Sequence, residues 1–437
     1  QHLLYIINMN YKHIPFTNIL LYIFILLSSF SYIKLLPNNM DTQPWYIVIS
    51  IFICLIFILK NKIIYRENLI FVYLLFSYFI VLTIDILNQK YFLLSDLIRN
   101  TATYISLFTV SFSFIYCLKK KILTSKLILA FIVIWFIGGT IQFFINSNFF
   151  SFILDSRTSP GRGVTGFSPE PTFYAIIITL LYFLFYITKT TLEGNISFSF
   201  IFNKVLFLVL LQVFIFSKSS MMMLFWLIVF LFSYIVYTAI AFKEKKIAQL
   251  IILFIGIFIL LILIYSIILI SNTDYINSIK GYRFYKIFQI SNNGLSSLIY
   301  QDASINDRVA HLVIPWYGLM KNYLFPGGFY SFTHYLDNKG LIFEGIFWYG
   351  SLTNKIMSYI GSVIYELGFL SFPYLFYILI NLIKFISQSK NKKGDIILSC
   401  SFFTLIFLSI PLSNPIVTGF ITTIAYINYH NFHMRNN

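Results

Sequence analysis

Two arginines, a carboxylate and a run of glycines and prolines share one stretch, Ser156 to Ala175, reading S-R-T-S-P-G-R-G-V-T-G-F-S-P-E-P-T-F-Y-A between long apolar segments. Guanidinium groups present fixed donor forks that grip phosphate, so Arg157 and Arg162 are candidates for binding it. Pro160, Gly161, Gly163 and Gly166 disfavour a helix here and allow the backbone to approach a ligand closely. Pro171 suits the first turn of the following helix, which puts Glu170 at a helix N-terminus. There a carboxylate either complements the helix dipole or serves as a general base or orienting group. In a chain with 11% charged residues, three such charges at the mouth of an apolar helix need a chemical reason.

Further along, Ser304-Ile-Asn-Asp307 reads as a helix start, and Arg308 and His311, three apart, fall on one helical face. Arg308 suits a second phosphate, and His311 suits either proton transfer or a structural role. Pro315 is expected to bend or end that helix. Pro326-Gly327-Gly328 forms a tight turn, and His334 beyond it has no evident partner. Glu366, in Tyr365-Glu366-Leu367-Gly368, falls inside an apolar helix starting near Lys355, roughly 16 Å along it. It should face a polar cavity or an internal cation, for which Lys218 is a candidate.

The elements that position these residues are membrane spans. The 437 residues are 59% hydrophobic and 20% aromatic with a mean hydropathy of +0.82, outside the soluble globular class. Crossing the hydrocarbon takes roughly 20 apolar residues, and about twelve segments qualify. They are 14–36, 43–60, 68–88, 97–118, 127–146, 172–188, 204–217, 221–242, 247–270, 355–384, 395–411 and 415–430. Segments 204–217 and 221–242 should form a tight helical hairpin. The fold class is therefore an all-α polytopic membrane protein. Residues 1–270 hold the first nine helices, 271–354 a large loop, and 355–437 the last three.

Every second connection is basic: Lys60, Lys62 and Arg66; Lys119, Lys120, Lys121 and Lys126; Lys189 and Lys204; Lys243, Lys245 and Lys246; Lys384, Lys390, Lys392 and Lys393. By the positive-inside rule both termini face the cytoplasm. The net charge of +16 is then mostly topogenic, and no nucleic-acid partner is expected. The loops at 146–171 and 271–354 lie outside, and the larger one should fold against the membrane domain. Cys54, Cys117 and Cys400 sit in apolar segments without disulfide or metal spacing. Met9 reads as a start with residues 1–8 upstream, and the run at 14–36 is too long for a cleaved signal peptide. The 51 Phe and 32 Tyr fit an AT-rich coding sequence better than ligand stacking.

No paired carboxylates suggest a divalent-metal site, and no phosphate loop, dinucleotide fingerprint or zinc spacing occurs. A pump or a nucleotide-sugar enzyme is disfavoured, and the substrate is expected to arrive already activated.

The combination of R-G-V-T-G-F-S-P-E-P-T-F-Y-A, R-V-A-H-L-V-I-P-W-Y-G-L-M in the large loop, the G-G-F-Y turn and Y-E-L-G-F-L-S-F resembles the bacterial O-antigen repeat-unit polymerases of the Wzy type. G-F-S-P-E-P-T is the most specific part. The resemblance implies a C-type glycosyltransferase fold with a large periplasmic loop, in the bacterial inner membrane. It implies a substrate carried on undecaprenyl diphosphate and glycan transfer to a new lipid-linked repeat without a metal or other cofactor. It also implies contact with membrane lipids and a chain-length-determining co-polymerase as partner. By position it points to Arg157, Arg162 and Arg308, and Glu170 matches the glutamate of its pattern; the candidate set is then Arg157, Arg162, Arg308 and Lys218 for the diphosphate, and Glu170, Arg308 and His311 for catalysis. The related ligases, which attach finished glycan to lipid A core, carry a histidine-asparagine pair that Leu352 to Ser358 lacks. A lipid-linked oligosaccharide flippase would place its charges along a midplane cavity and show internal repeats.

Overall fold

Long apolar runs must satisfy their own backbone, and helices do so internally. A computed structural model of the chain describes residues 16–35, 42–61, 65–88, 94–155, 157, 163–243, 289–290, 294–329, 332, 346–347, 356–408 and 410–436. The regular structure among these residues is all helical, with no strand. The helices are α1 Phe16–Ser29, α2 Trp45–Asn61, α3 Leu69–Leu87, α4 Leu94–Lys119, α5 Ser125–Phe144, α6 Pro171–Ile187, α7 Lys204–Leu211, α8 Ser220–Lys243, α9 Leu295–Gln301, α10 Ala303–Lys321, α11 Tyr359–Leu367, α12 Phe372–Gln388, α13 Lys392–Phe407 and α14 Pro415–Asn436. Among the described residues six helices are long and apolar enough to cross a membrane, and α1, α2 and α7 with its continuation are shorter apolar helices. The expected span 247–270, together with Arg162 and His334, lies outside the described residues.

Helix α6 is the centre of the bundle and is buried along nearly its whole length. Trp135 of α5 stacks between Phe30 and Tyr174, with ring centroids 5.5 Å from each. Helix α4 packs on α2 and α14, and α12 on α14. Polar bonds fix the registers: Ser50 to Thr109 at 2.8 Å, Ser111 to Asn68 at 2.6 Å and Thr422 to Ser111 at 2.9 Å. Inside a membrane each such bond adds on the order of 0.6 kcal/mol, so packing still dominates. Helices α3, α5 and α8 are largely exposed along their apolar faces, as lipid-facing helices must be.

The segment expected as one helix from 355 to 384 is broken. Gly368 turns with φ +56°, and a single tight turn, Gly368–Ser371, joins α11 to α12. An unbroken helix would bond the Phe369 amide to the Tyr365 carbonyl. Here Phe369 donates to Leu324 O at 2.8 Å instead, and Tyr365 O accepts the Gly327 amide at 2.8 Å. One lost helical bond becomes two bonds to the 324–327 strap that follows α10. Helix α10 itself begins at Ala303, where the Asp302 carboxylate caps the Ile305 amide at 2.9 Å, and not at the Ser304 that the sequence favoured. Pro315 does not end it: the helix gives up the bond from residue 315 to the His311 carbonyl and runs on to Lys321.

At the opposite end of the bundle, Lys119 lies 3.6 Å from the Tyr65 ring centroid, and Glu193 ties α5 to α6. Its carboxylate accepts the Ser125 amide at 2.8 Å and hydroxyl at 2.7 Å, and pairs with Lys189 at 3.0 Å. Burial alone would push this carboxyl up, but the Ser125 bonds and Lys189 outweigh it and hold it below the ordinary glutamate value.

A methyl group at residue 368 would sit 2.5 Å from Pro326 N and 2.6 Å from Leu324 O, at a φ that side chains rarely adopt. Gly368→Ala should destabilise the protein by about 1–3 kcal/mol, read as a lower melting temperature in detergent. For Glu193, the depressed folded-state value means its stabilisation is present above the unfolded value near about 4.3 and is lost as pH falls through the lower folded value. Melting temperature should therefore drop on acidification below that value, and less steeply in Glu193→Gln. Equal slopes would refute the assignment.

Candidate functional site

Between α5 and α6 the described residues 154, 155, 157 and 163–170 are not helical, so their polar groups need partners other than a helical ladder. The Arg157 amide donates to Pro169 O at 2.7 Å, Val164 to Phe216 O at 2.8 Å and Gly166 to Gln142 Oε1 at 2.6 Å. The Ser168 hydroxyl bridges the Thr165 and Glu170 carbonyls at 2.7 and 2.8 Å. Gln142, a lone amide in an apolar helix, is the floor anchor, and its Nε2 also reaches Thr165 at 3.2 Å. At the N-terminal side of the segment Lys34 pairs with Asp155, and the Lys34 amide donates to Ile153 O at 3.0 Å.

Phe216 O is available to Val164 because α7 ends in a wide turn, Gln212–Ser217, after which Lys218 adopts left-handed backbone angles, φ 48° and ψ 30°. Gly163 lies against this turn so closely that a Cβ would be 1.9 Å from Ser217 O. That contact explains the glycine without appeal to a ligand. A lysine with positive φ is uncommon, and such strain persists where the surroundings impose it. The Lys218 ammonium lies 5.7 Å from the Phe143 ring centroid.

Glu170 occupies the position the sequence indicated, the extended residue just before α6, with Pro171 in the first turn. Its side chain makes no capping bond. Instead Oε1 lies 3.8 Å from Arg157 Nε, with the two side chains 36% and 53% exposed. A pair so exposed adds about 0–1 kcal/mol, so the backbone bonds hold the segment and the pair is free to rearrange around a ligand.

Arg308 arrives from a distant part of the chain. Its Nη2 donates to Thr172 Oγ1 at 3.3 Å, and Ser219, next to Lys218, donates to the same oxygen at 3.4 Å. The start of α6 thus gathers Arg157, Glu170, Arg308 and the Lys218–Ser219 turn. Arg157 paired with Glu170 and Arg308 on Thr172, two residues on, suit an anion with more than one charge.

His311 is arranged differently. It is buried, 2% exposed, stacked on Phe332 at 5.4 Å, and its Nδ1 accepts the Met357 amide at 3.4 Å. That bond places the ring proton on Nε2, which lies 3.5 Å from Asp307 Oδ1. A neutral imidazole has one acceptor nitrogen, and here the backbone occupies it. His311 therefore clamps α10 to the segment leading into α11, as does Asn306, whose amide bonds Ile299 O at 2.8 Å and Ile346 O at 2.5 Å. A proton-transfer role would have to rest on Nε2, beside Asp307.

Glu366 accepts the Tyr104 hydroxyl at 2.6 Å, with Asp85 and Arg99 close enough to act on it electrostatically. Asp85 in turn accepts the Phe329 amide at 3.0 Å. The cation acting on Glu366 is Arg99, where the sequence had offered Lys218. Both buried carboxylates fasten the 324–329 strap and α11 to the bundle.

Sequence reasoning passed over Gln142, Asp85, Arg99 and Thr172. A lone polar residue in an apolar run, as in I-Q-F-F or T-I-D-I, was the available signal for the first two. For Thr172 there was none, because its partners lie 47 and 136 residues away. Among the described residues no three His, Cys, Asp or Glu side chains converge to hold a metal ion. No family model, curated protein or solved structure matches the chain.

Proposed function

We propose that this chain is a membrane glycosyltransferase of the C type, with about twelve spans. In this reading it polymerises oligosaccharide repeat units carried on undecaprenyl diphosphate, at the outer face of the bacterial inner membrane with both termini in the cytoplasm. The observation that carries the reading is the meeting of Arg157, Glu170, Arg308 and the Lys218 turn at the start of α6. The resemblance of G-F-S-P-E-P-T to repeat-unit polymerases adds to it.

The reaction follows from that arrangement. The hydroxyl of the incoming repeat attacks the anomeric carbon of the growing glycan. As its C–O bond forms, the bond to the lipid diphosphate breaks, and negative charge builds on the departing phosphate oxygen. Preorganised guanidinium groups stabilise that developing charge more than the ground state, which is what accelerates a reaction. Arg157 and Arg308 supply the donor forks, with Arg162 and Lys218 as further cations. The Glu170 carboxylate takes the proton of the attacking hydroxyl. A single in-line displacement inverts the anomeric configuration.

The deciding experiment deletes the gene in its source strain and resolves surface polysaccharide by size. Loss of the ladder with single repeats on lipid A core is the expected outcome. Bare core with lipid-linked polymer would indicate a ligase, and repeats trapped at the cytoplasmic face a flippase. Complementation with Arg157→Ala, Arg308→Ala or Glu170→Ala should fail to restore long chains at near-normal protein levels. Lysine at either arginine should restore them partly, since a point charge lacks the bidentate fork. Normal ladders from all three alanine variants would remove the site. The purified enzyme should keep full activity in excess chelator, and strict dependence on a divalent ion would overturn the cation-based mechanism.

A further inference from the structure

We infer that Thr172 is a further binding residue of this site, one that takes its orientation from Arg308 and donates a hydrogen bond of its own to the lipid diphosphate. The inference rests on the proposed function and names a residue that function does not require. A threonine hydroxyl has two acceptor lone pairs and one proton. Both lone pairs of Thr172 are engaged, by Arg308 Nη2 at 3.3 Å and by Ser219 Oγ at 3.4 Å. Among the described residues the Thr172 proton has no acceptor. The hydroxyl is thereby turned so that its O–H points away from both donors, and it cannot rotate to accept without breaking one of them.

Such a group is a fixed donor. Its strength rises because a hydroxyl that accepts from a cation becomes a better donor, hydrogen bonds in a chain polarising one another. Thr172 lies two residues after Glu170 and directly on Arg308, so the ligand it meets is the anion those cations hold. Ser219 adds a second constraint: it is 5% exposed and belongs to the strained Lys218 turn, so the turn reports to the same oxygen. Carbon at that position would remove one contact of Arg308 and leave the diphosphate without this neutral donor.

The test uses the protein in nanodiscs with undecaprenyl diphosphate as the probe, measuring its affinity for wild type, Thr172→Ser, Thr172→Val, Ser219→Ala, Arg308→Ala, Arg308→Lys and the Arg308→Lys/Thr172→Val double variant. Thr172→Val, matched in shape, should weaken binding by about tenfold or more, the scale of a lost hydrogen bond to a charged group. Thr172→Ser, which keeps the hydroxyl, should stay within about threefold of wild type. Ser219→Ala, which leaves Thr172 intact, should give an intermediate loss and keeps the test valid if Thr172→Val does not fold. In the Arg308→Lys background the Thr172→Val effect should shrink, because residues that act as one unit are not additive. Multiplying effects, or equal damage from Thr172→Ser and Thr172→Val, would overturn the inference. So would wild-type affinity in Thr172→Val beside a weakened Arg308→Ala, with the proposed function left standing. Wild-type affinity in Arg308→Ala would remove both. Equal competition by phosphatidylglycerol would show a phospholipid headgroup site and refute the lipid diphosphate as its ligand.

Discussion

Non-helical backbone packed onto an apolar bundle survives when every amide and carbonyl finds a partner, and this constraint organises the site end of the molecule. The described residues of the 157–170 segment, 157 and 163–170, meet it by borrowing. Phe216 lends a carbonyl, Gln142 a side-chain amide, and Pro169 a carbonyl to the far end of the same loop. The 324–329 strap borrows in the same way, from Tyr365 and Asp85. In each case one lender is a place where a helix fails. Phe216 O lies in the wide turn that ends α7, and Tyr365 O is open because the chain leaves the helix at Gly368. The two breaks are therefore the sockets into which the loops fit, and straightening either helix would leave a loop with unpaired polar groups.

The two carboxylates that fasten the strap belong to the same logic. Asp85 and Glu366 are buried, 1% and 9% exposed, and an ionised group there is costly unless something compensates it. Glu366 accepts the Tyr104 hydroxyl with Arg99 nearby, and Asp85 accepts the Phe329 amide, contacts that offset part of that cost. Since α10 leads directly into this strap, the cost of burying two acids is offset by a defined position for the helix that carries Arg308. His311 and Asn306 complete the hold from the other side of α10.

What could be read from the sequence was local. Glu170 before Pro171 marks a helix start through the chemistry of two adjacent residues, and α6 begins there. Arg157 and Glu170 fall within one loop, and they pair. The apolar runs located the helices because hydrocarbon length leaves few other readings. The unreadable parts depend on long-range partners. Nothing near Gly368 says that Leu324 will compete for the Phe369 amide, so the run from 355 to 384 reads as a single helix. Asp302 and Ser304 are both acceptable caps by type, and the choice fell to the one whose carboxylate reaches Ile305. His311 has the residue type of a base, and only the Met357 amide, 46 residues on, shows that its acceptor nitrogen is taken.

The weakness of the Arg157–Glu170 pair is as informative as the strength of the bonds around it. Exposed charges 3.8 Å apart contribute little to stability, so natural folds have small reason to build a glycine-rich loop for their sake. The described backbone of the loop is held by these bonds, while the Arg157 and Glu170 side chains are 53% and 36% exposed. Arg308 is positioned in the same way: α10 is clamped by buried bonds, and one of its guanidinium contacts is to the Thr172 hydroxyl at 3.3 Å. Rigid supports under loosely engaged charges are what binding a multiply charged ligand demands, because the ordering cost is met in folding and the charges remain available to the ligand.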